Sequence, residues 1–320
     1  MQFRASDNKM TVHLLPRQHE CNRILAMRIR DMRHFTGTLA SLVLVGALSA
    51  TALGQQPASP APSGGMAHGS MPTMNDDWAK AKLDKSPRHR EWVSIKYGNR
   101  TVQAFVVYPE VKDKAPVVLV IHEIFGLSNW ARSMADDLAA AGYIAIAPDL
   151  LSGFGPNGGG SSAFPDQDVT VKAVSGLNAD TVTADLDATA DYAKKLPAAN
   201  GKLAVVGFCW GGGKSFAFAT HRKDLNAAFV FYGPGPDASA IAGIQAPVYG
   251  FYAGNDARIG ATVPATTEAM KAAGKKFEPV TYDGAGHGFM RAGEAPDANA
   301  DNKRAREEGL KRLTTLLKGM

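Results

Sequence analysis

The residues most able to do chemistry lie around Cys209. Leu203-Ala-Val-Val-Gly207-Phe-Cys209-Trp-Gly211-Gly-Gly213 runs from a strand-like apolar segment through a glycine-flanked cysteine into a helical stretch. Gly-x-nucleophile-x-Gly is the pattern of a sharp strand-to-helix turn that exposes a nucleophile, with cysteine here where serine is commoner. The glycines have a steric reason, because a Cβ two residues before or after the nucleophile would collide with the neighbouring strand or helix. The helix N-terminus beneath Cys209 is expected to favour its thiolate and to aim backbone N–H groups at an incoming oxyanion. The opposing reading is a buried, inert thiol, the common fate of a lone cysteine; the strand–turn–helix setting argues against it.

A thiol nucleophile needs a base, and the base needs an orienting acid. In chain order nucleophile, acid, histidine, the candidates are Asp256 in Gly254-Asn-Asp256 and His287 in Gly284-Ala-Gly-His287-Gly-Phe289. Asp283 is the fallback orienter. Of the other histidines after residue 54, His68 falls in a polar tract, His89 precedes the sheet, His221 follows a helix and reads as a surface residue, and His122 abuts a strand end. His122-Glu123 would begin a zinc helix only with a second His at position 126, which is Gly. No metal or cofactor is expected. Gly213-Lys214-Ser215 would end a phosphate-binding loop only with Gly at position 208, which is Phe. The loop after His122 instead fits the segment that supplies a second oxyanion N–H, and it would put Glu123 close to Cys209. A carboxylate there could accept the thiol proton or hold the resting thiol.

These residues need strands and helices to converge them. Apolar β-rich runs recur at Trp92–Tyr97, Thr101–Tyr108, Val117–His122, Tyr143–Pro148, Leu203–Phe208, Ala227–Tyr232, Val248–Ala253 and Phe277–Tyr282. Several are continuously apolar, as strands buried on both faces must be. The first two alternate and suit an antiparallel edge. Helical stretches at Asn129–Ala141, Asp180–Leu196, Gly211–Thr220, Pro264–Ala273 and Asp297–Lys318 lie between and after them. The pattern predicts an α/β-hydrolase fold over residues 81–320, a mostly parallel eight-stranded sheet with helices on both faces and its site at the carboxyl ends of strands. Leu151–Asn178 is glycine-rich and reads as one long irregular loop bordering that site.

The chain has 320 residues and a net charge of +5. Residues 1–54 hold seven Lys/Arg and three acids, which leaves the rest near neutral and removes the case for a nucleic-acid partner. Thr38–Leu53 is an uncharged run of 16 residues behind Arg28, Arg30 and Arg33, with Ala52-Leu53-Gly54 at its end. It is short for a transmembrane helix of ~20 residues. Residues 1–54 therefore read as a secretory signal, with Met27 or Met32 as other possible starts, and the product as periplasmic or secreted with no membrane span after cleavage. Residues 55–80, rich in Pro, Gly, Ser and Met, read as a disordered tether. The two cysteines, Cys21 and Cys209, exclude a disulfide-rich scaffold, and export would leave only Cys209.

His-Glu-Ile-Phe-Gly at 122–126, Ala-Pro-Asp-Leu at 147–150, Gly-Phe-Cys-Trp-Gly-Gly at 207–212, Phe-Tyr-Gly at 231–233 and Gly-His-Gly-Phe at 286–289 together resemble the dienelactone hydrolase (carboxymethylenebutenolidase) family, over about residues 92–317. The resemblance implies a catalytic triad at Cys209, Asp256 and His287, a thiol-activating acid at Glu123, and oxyanion N–H groups at Ile124 and Trp210. It implies a substrate-carboxylate arginine at Arg291, and Phe125 and Tyr232 join it as expected substrate contacts. The family's other carboxylate-binding arginine, shortly after Pro-Asp-Leu, has no counterpart, since Asp149 to Val171 contains no Lys or Arg. The expected activity is cysteine-dependent hydrolysis of a small ester or lactone by a monomer. A general carboxylesterase or thioesterase on the same fold, and a non-catalytic thiol sensor, are the competing readings.

Overall fold

A computed structural model describes residues 76–320. The leader and most of the expected tether lie outside the described residues. Eight strands form one sheet: β1 (Arg90–Tyr97), β2 (Arg100–Val107), β3 (Ala115–Ile121), β4 (Ile144–Asp149), β5 (Ala199–Phe208), β6 (Ala227–Phe231), β7 (Val248–Ala253) and β8 (Phe277–Tyr282). Their spatial order is β1-β2-β4-β3-β5-β6-β7-β8. β2 pairs antiparallel with both β1 and β4, and every other pairing is parallel. This is the α/β-hydrolase sheet the strand pattern predicts, with the antiparallel edge in its expected place.

Two cores follow from the alternation of side chains along apolar strands. In β3, Val118 and Val120 face one cluster, while Val117, Leu119 and Ile121 face the other. β5 divides in the same way, with Ala204, Val206 and Phe208 opposite Leu203 and Val205. The first cluster is covered by α1 (Asp77–Asp84), α2 (Asn129–Ala140) and α9 (Ala300–Lys318), through Leu83, Trp130, Met134, Leu313 and Leu317. The second is covered by α4 (Ala179–Lys194), α5 (Trp210–His221) and α7 (Val263–Ala272), through Leu186, Phe216, Phe218 and Met270. Among the described residues no helix is long and apolar enough to cross a membrane.

Two expectations need correction. The stretch 151–178 is not wholly irregular, because α3 spans Gln167–Ser175. Asp166 caps it by accepting the Val169 N–H, and Thr170 and Val174, one turn apart, are its buried residues. Two buried positions are too weak a periodic signal to stand out from a glycine-rich background. The expected tether also ends too late, since its last residues, from Asp77, are helical in α1. Ala79 and Leu83 are buried in the first cluster. Lys82 bonds Asp137 of α2 and Glu294 at 2.6 Å each, and Arg306 of α9 reaches the same two acids. Ala79 and Leu83, four residues apart with Trp78 packed on the same cluster, make a periodic run only one turn long, too short to announce that docking.

The short helices α6 (Ala257–Gly260) and α8 (Phe289–Ala292) follow β7 and β8. Both open at loops on the carboxyl edge, where the site forms.

If α1 is integral to the core, Leu83→Ala should cost about 2–3 kcal/mol, lowering Tm by roughly 5–10 °C for a domain of this size. Calorimetry on residues 76–320 and on the full chain checks this; no change in either would mean α1 does not contribute to the fold's stability.

Candidate active site

β5 ends at Phe208, and Cys209 begins α5 with φ +56° and ψ −118°. Few non-glycine residues adopt positive φ, and those that do are held there by their surroundings. The flanking glycines show what does the holding. A Cβ on Gly207 would lie 1.9 Å from the Gly211 carbonyl oxygen, and one on Gly211 would lie 2.3 Å from the carbonyl oxygen of His122. Those obstacles are backbone and cannot swing away. The end of β5, the start of α5 and the end of β3 are therefore in direct backbone contact. This closeness brings two amides from separate elements, Trp210 N–H and Ile124 N–H, onto the Cys209 sulfur.

His287 Nε2 lies 3.1 Å from Cys209 Sγ, and its Nδ1 lies 2.5 Å from Asp256 Oδ2. A carboxylate can only accept, so Nδ1 carries the proton and Nε2 presents its lone pair to the thiol. Asp256 is buried and caps α6, accepting the Ile259 N–H at 3.3 Å. Asp256 rather than Asp283 meets the imidazole. The Tyr232 ring abuts His287 edge-on, with centroids 5.1 Å apart.

Glu123 is only 3% exposed. Its Oε2 accepts from Arg291 Nε at 2.8 Å, and its Oε1 accepts from the Tyr232 hydroxyl at 3.4 Å. The Arg291 guanidinium also lies over the Phe125 ring, 5.0 Å from its centroid. The Cys209 thiol is pushed up to about 11, first by burial and then by the Glu123 charge. The Trp210 and Ile124 amides and Arg258 pull the other way and lose. The helix N-terminal amide acts in the expected direction, but in the resting site burial and a neighbouring carboxylate outweigh it.

The loop carrying Glu123 and Ile124 is braced from two sides. Buried His122 donates Nδ1–H to the Glu123 carbonyl at 2.7 Å, and its ring stacks on Trp210. Ser161, from the long loop after β4, accepts the Leu127 N–H at 2.9 Å and donates to Asp149 Oδ1 at 2.6 Å. His221 is exposed and pairs with Asp187, as a surface residue should.

A cavity of about 510 Å³ opens at the sulfur, and Ile124, Cys209, Trp210, Tyr232 and His287 line it. Arg291 and Phe125 are not among its lining residues; they flank Glu123 instead. Lys214 and Arg258 line the cavity, and neither was singled out as a site residue from the sequence. Lys214 stood there only as part of a failed phosphate-loop match. Arg258, two residues past Asp256, carried no signal beyond that proximity, and Ser161 carried none.

The Dienelactone hydrolase family model matches residues 102–320. The chain is 32% identical over 233 residues to the "Putative carboxymethylenebutenolidase" of Methylorubrum extorquens, an alignment covering 69% of this chain and 78% of that protein. It is 29% identical over 212 residues to the carboxymethylenebutenolidase of Pseudomonas putida, covering 63% and 86% respectively. Among solved structures, the "Putative Dienelactone Hydrolase" of Klebsiella pneumoniae superposes with a TM-score of 0.64 at 29% identity, covering 73% of this chain and 99% of that one.

Removing the Glu123 charge should lower the thiol pKa, because an adjacent anion disfavours the thiolate. In Glu123→Gln the unpaired Arg291 cation would act in the same direction. Ultraviolet thiolate titration of Cys209 should show a midpoint near 11 in the wild type and a lower one in the variant. An unchanged or raised midpoint would exclude Glu123 as a cause of the shift.

Proposed function

Because the chain belongs to the dienelactone hydrolase family and is a hydrolase of carboxylic ester bonds, we propose that it cleaves a small ester or lactone through a cysteine nucleophile and an acyl-enzyme. The observation that carries this is the continuous relay from Cys209 Sγ through His287 to Asp256, with spacings of 3.1 and 2.5 Å.

The steps follow from the protons. At rest the thiol is neutral, so attack needs a base, and the lone pair on His287 Nε2 faces it. As sulfur bonds to the substrate carbonyl carbon, the thiol proton passes to Nε2. The carbonyl oxygen becomes an oxyanion and takes the Ile124 and Trp210 N–H groups, which the resting sulfur otherwise occupies. Asp256 stabilises the imidazolium and keeps the ring in one tautomer. The intermediate collapses, the C–O bond breaks, and the imidazolium protonates the departing oxygen. A lactone would leave that alcohol tethered to the acyl group. Water then enters, gives a proton to Nε2, attacks the thioester, and leaves as the acid product while the imidazolium returns its proton to sulfur.

Glu123 gives the thiol a reason to stay protonated until substrate arrives. Its charge opposes thiolate formation next to it, and its bonds to Arg291 and Tyr232 keep it in place. Arg291, Phe125 and Tyr232 serve in this reading to set the carboxylate's position beside the nucleophile. The signal-like run before residue 55 supports an exported enzyme, periplasmic or secreted.

Cys209→Ala should lower kcat on p-nitrophenyl acetate by about a thousandfold or more, as loss of a nucleophile does. Intact-mass spectrometry during turnover should find an acyl adduct on Cys209 in the wild type. Full activity in Cys209→Ala would end this assignment. A thiol that alkylates with iodoacetamide yet never carries acyl would favour a sensor. For export, N-terminal mass spectrometry of the product should place the mature start at or near Gln55, and an intact leader would refute cleavage there.

A further inference from the structure

The nucleophile's cavity is lined by more than the catalytic relay. Its lining includes Lys214 on α5 and Arg258 on α6, and the apolar residues Ala217, Pro234, Pro236 and Ala240. Neither cation forms an ion pair or hydrogen bond with a described residue. Lys214 lies instead against the Trp210 ring, its nitrogen 5.2 Å from the centroid, and burial lowers its pKa with no anion nearby to oppose it. Arg258 is an exposed lining residue, and its charge reaches Cys209. A half-buried ammonium without an anion is an unbalanced charge, and a ligand anion would balance it. By contrast, Arg291 already has its carboxylate in Glu123.

We propose that Lys214 and Arg258 form an anion subsite that selects esters carrying a carboxylate on the acyl portion, a few carbons from the scissile carbonyl. The inference deepens the hydrolase reading and rests on it for the word "substrate", though binding of the anion does not. Lys214 is five residues past the nucleophile on the same helix, which puts its Cα ~7.5 Å further along the axis. That displacement suits an acyl chain running from the thioester position along α5, with the apolar wall beside its methylenes and the charge at its far end. Asp237 also lines the cavity. Against two cations it leaves the lining with one net positive charge, which matches a monoanionic carboxylate better than a dianionic phosphate. Arginine and lysine together also suit a carboxylate, one by a planar fork and the other as a point charge.

The test compares p-nitrophenyl hemiglutarate with p-nitrophenyl valerate, which differ by a carboxylate in place of a methyl group. Lys214→Met and Arg258→Gln are made singly and together. The kcat/KM ratio, charged over neutral, should fall roughly tenfold or more in the double variant, mainly through KM, as loss of charge-assisted hydrogen bonds in a half-exposed site implies. Titration calorimetry with glutarate reads the same subsite without turnover, and its Kd should rise by a similar factor. If both esters are cleaved while the ratio and the glutarate Kd stay within twofold of wild type, the subsite is refuted and the hydrolase reading stands. If neither ester is cleaved but glutarate binds the wild type and not the double variant, the hydrolase reading fails and the subsite survives.

Discussion

The site depends on one backbone contact, the collision distance between Gly211 and the end of β3. A Cβ at that position has nowhere to go, because carbonyl oxygens of Ile121 and His122 stand 2.5 and 2.3 Å from it. Removing that single atom lets α5 start directly against β3. Cys209 is thereby forced to positive φ, at a cost on the order of 1–3 kcal/mol. The surrounding sheet holds it there, since Cys209 N–H donates to the Phe231 carbonyl and β5 pairs on both sides. The reward for that strain is geometric: two amides from different parts of the chain meet at one sulfur.

Electrostatics then divides the labour among five residues. Glu123 is an anion in a site that must generate another, and burial compounds the effect. Arg291 and Tyr232 bind its two oxygens, so the carboxylate is fixed in place by partners other than His287. His287 is free to answer to Asp256 alone. The arrangement keeps the acid that orients the base separate from the acid that restrains the nucleophile, each with its own hydrogen-bond partners.

Much of this was legible in the sequence because it rests on local rules. Continuous apolar runs marked the buried strands, the glycine-flanked cysteine marked the elbow, and the order cysteine, aspartate, histidine located the relay. Asp256 and His287 could be read because each sits in a glycine-containing loop just past a strand. What escaped depended on contacts between segments far apart in sequence. The helix N-terminus and the nearby Glu123 are both legible as opposing influences on the thiol, but which one prevails depends on burial, which only the assembled fold supplies. Lys214 and Arg258 share a cavity only because α5 and α6 follow neighbouring parts of the same sheet edge. The helix α1 was hidden because it is only about two turns long, and the acids that anchor its Lys82, Asp137 and Glu294, lie far along the chain.

The high thiol pKa has a consequence for how long the protein lasts. Thiolates, not thiols, attack peroxides and disulfides. With burial and the Glu123 charge both opposing ionisation, the resting sulfur is held as the protonated thiol at neutral pH. The sulfur is thus kept in its chemically quiet form for nearly all of the time the site stands empty. During turnover the sulfur loses its proton only as it bonds to carbon, so the acyl group shields it at the stage when it would otherwise be most easily oxidised.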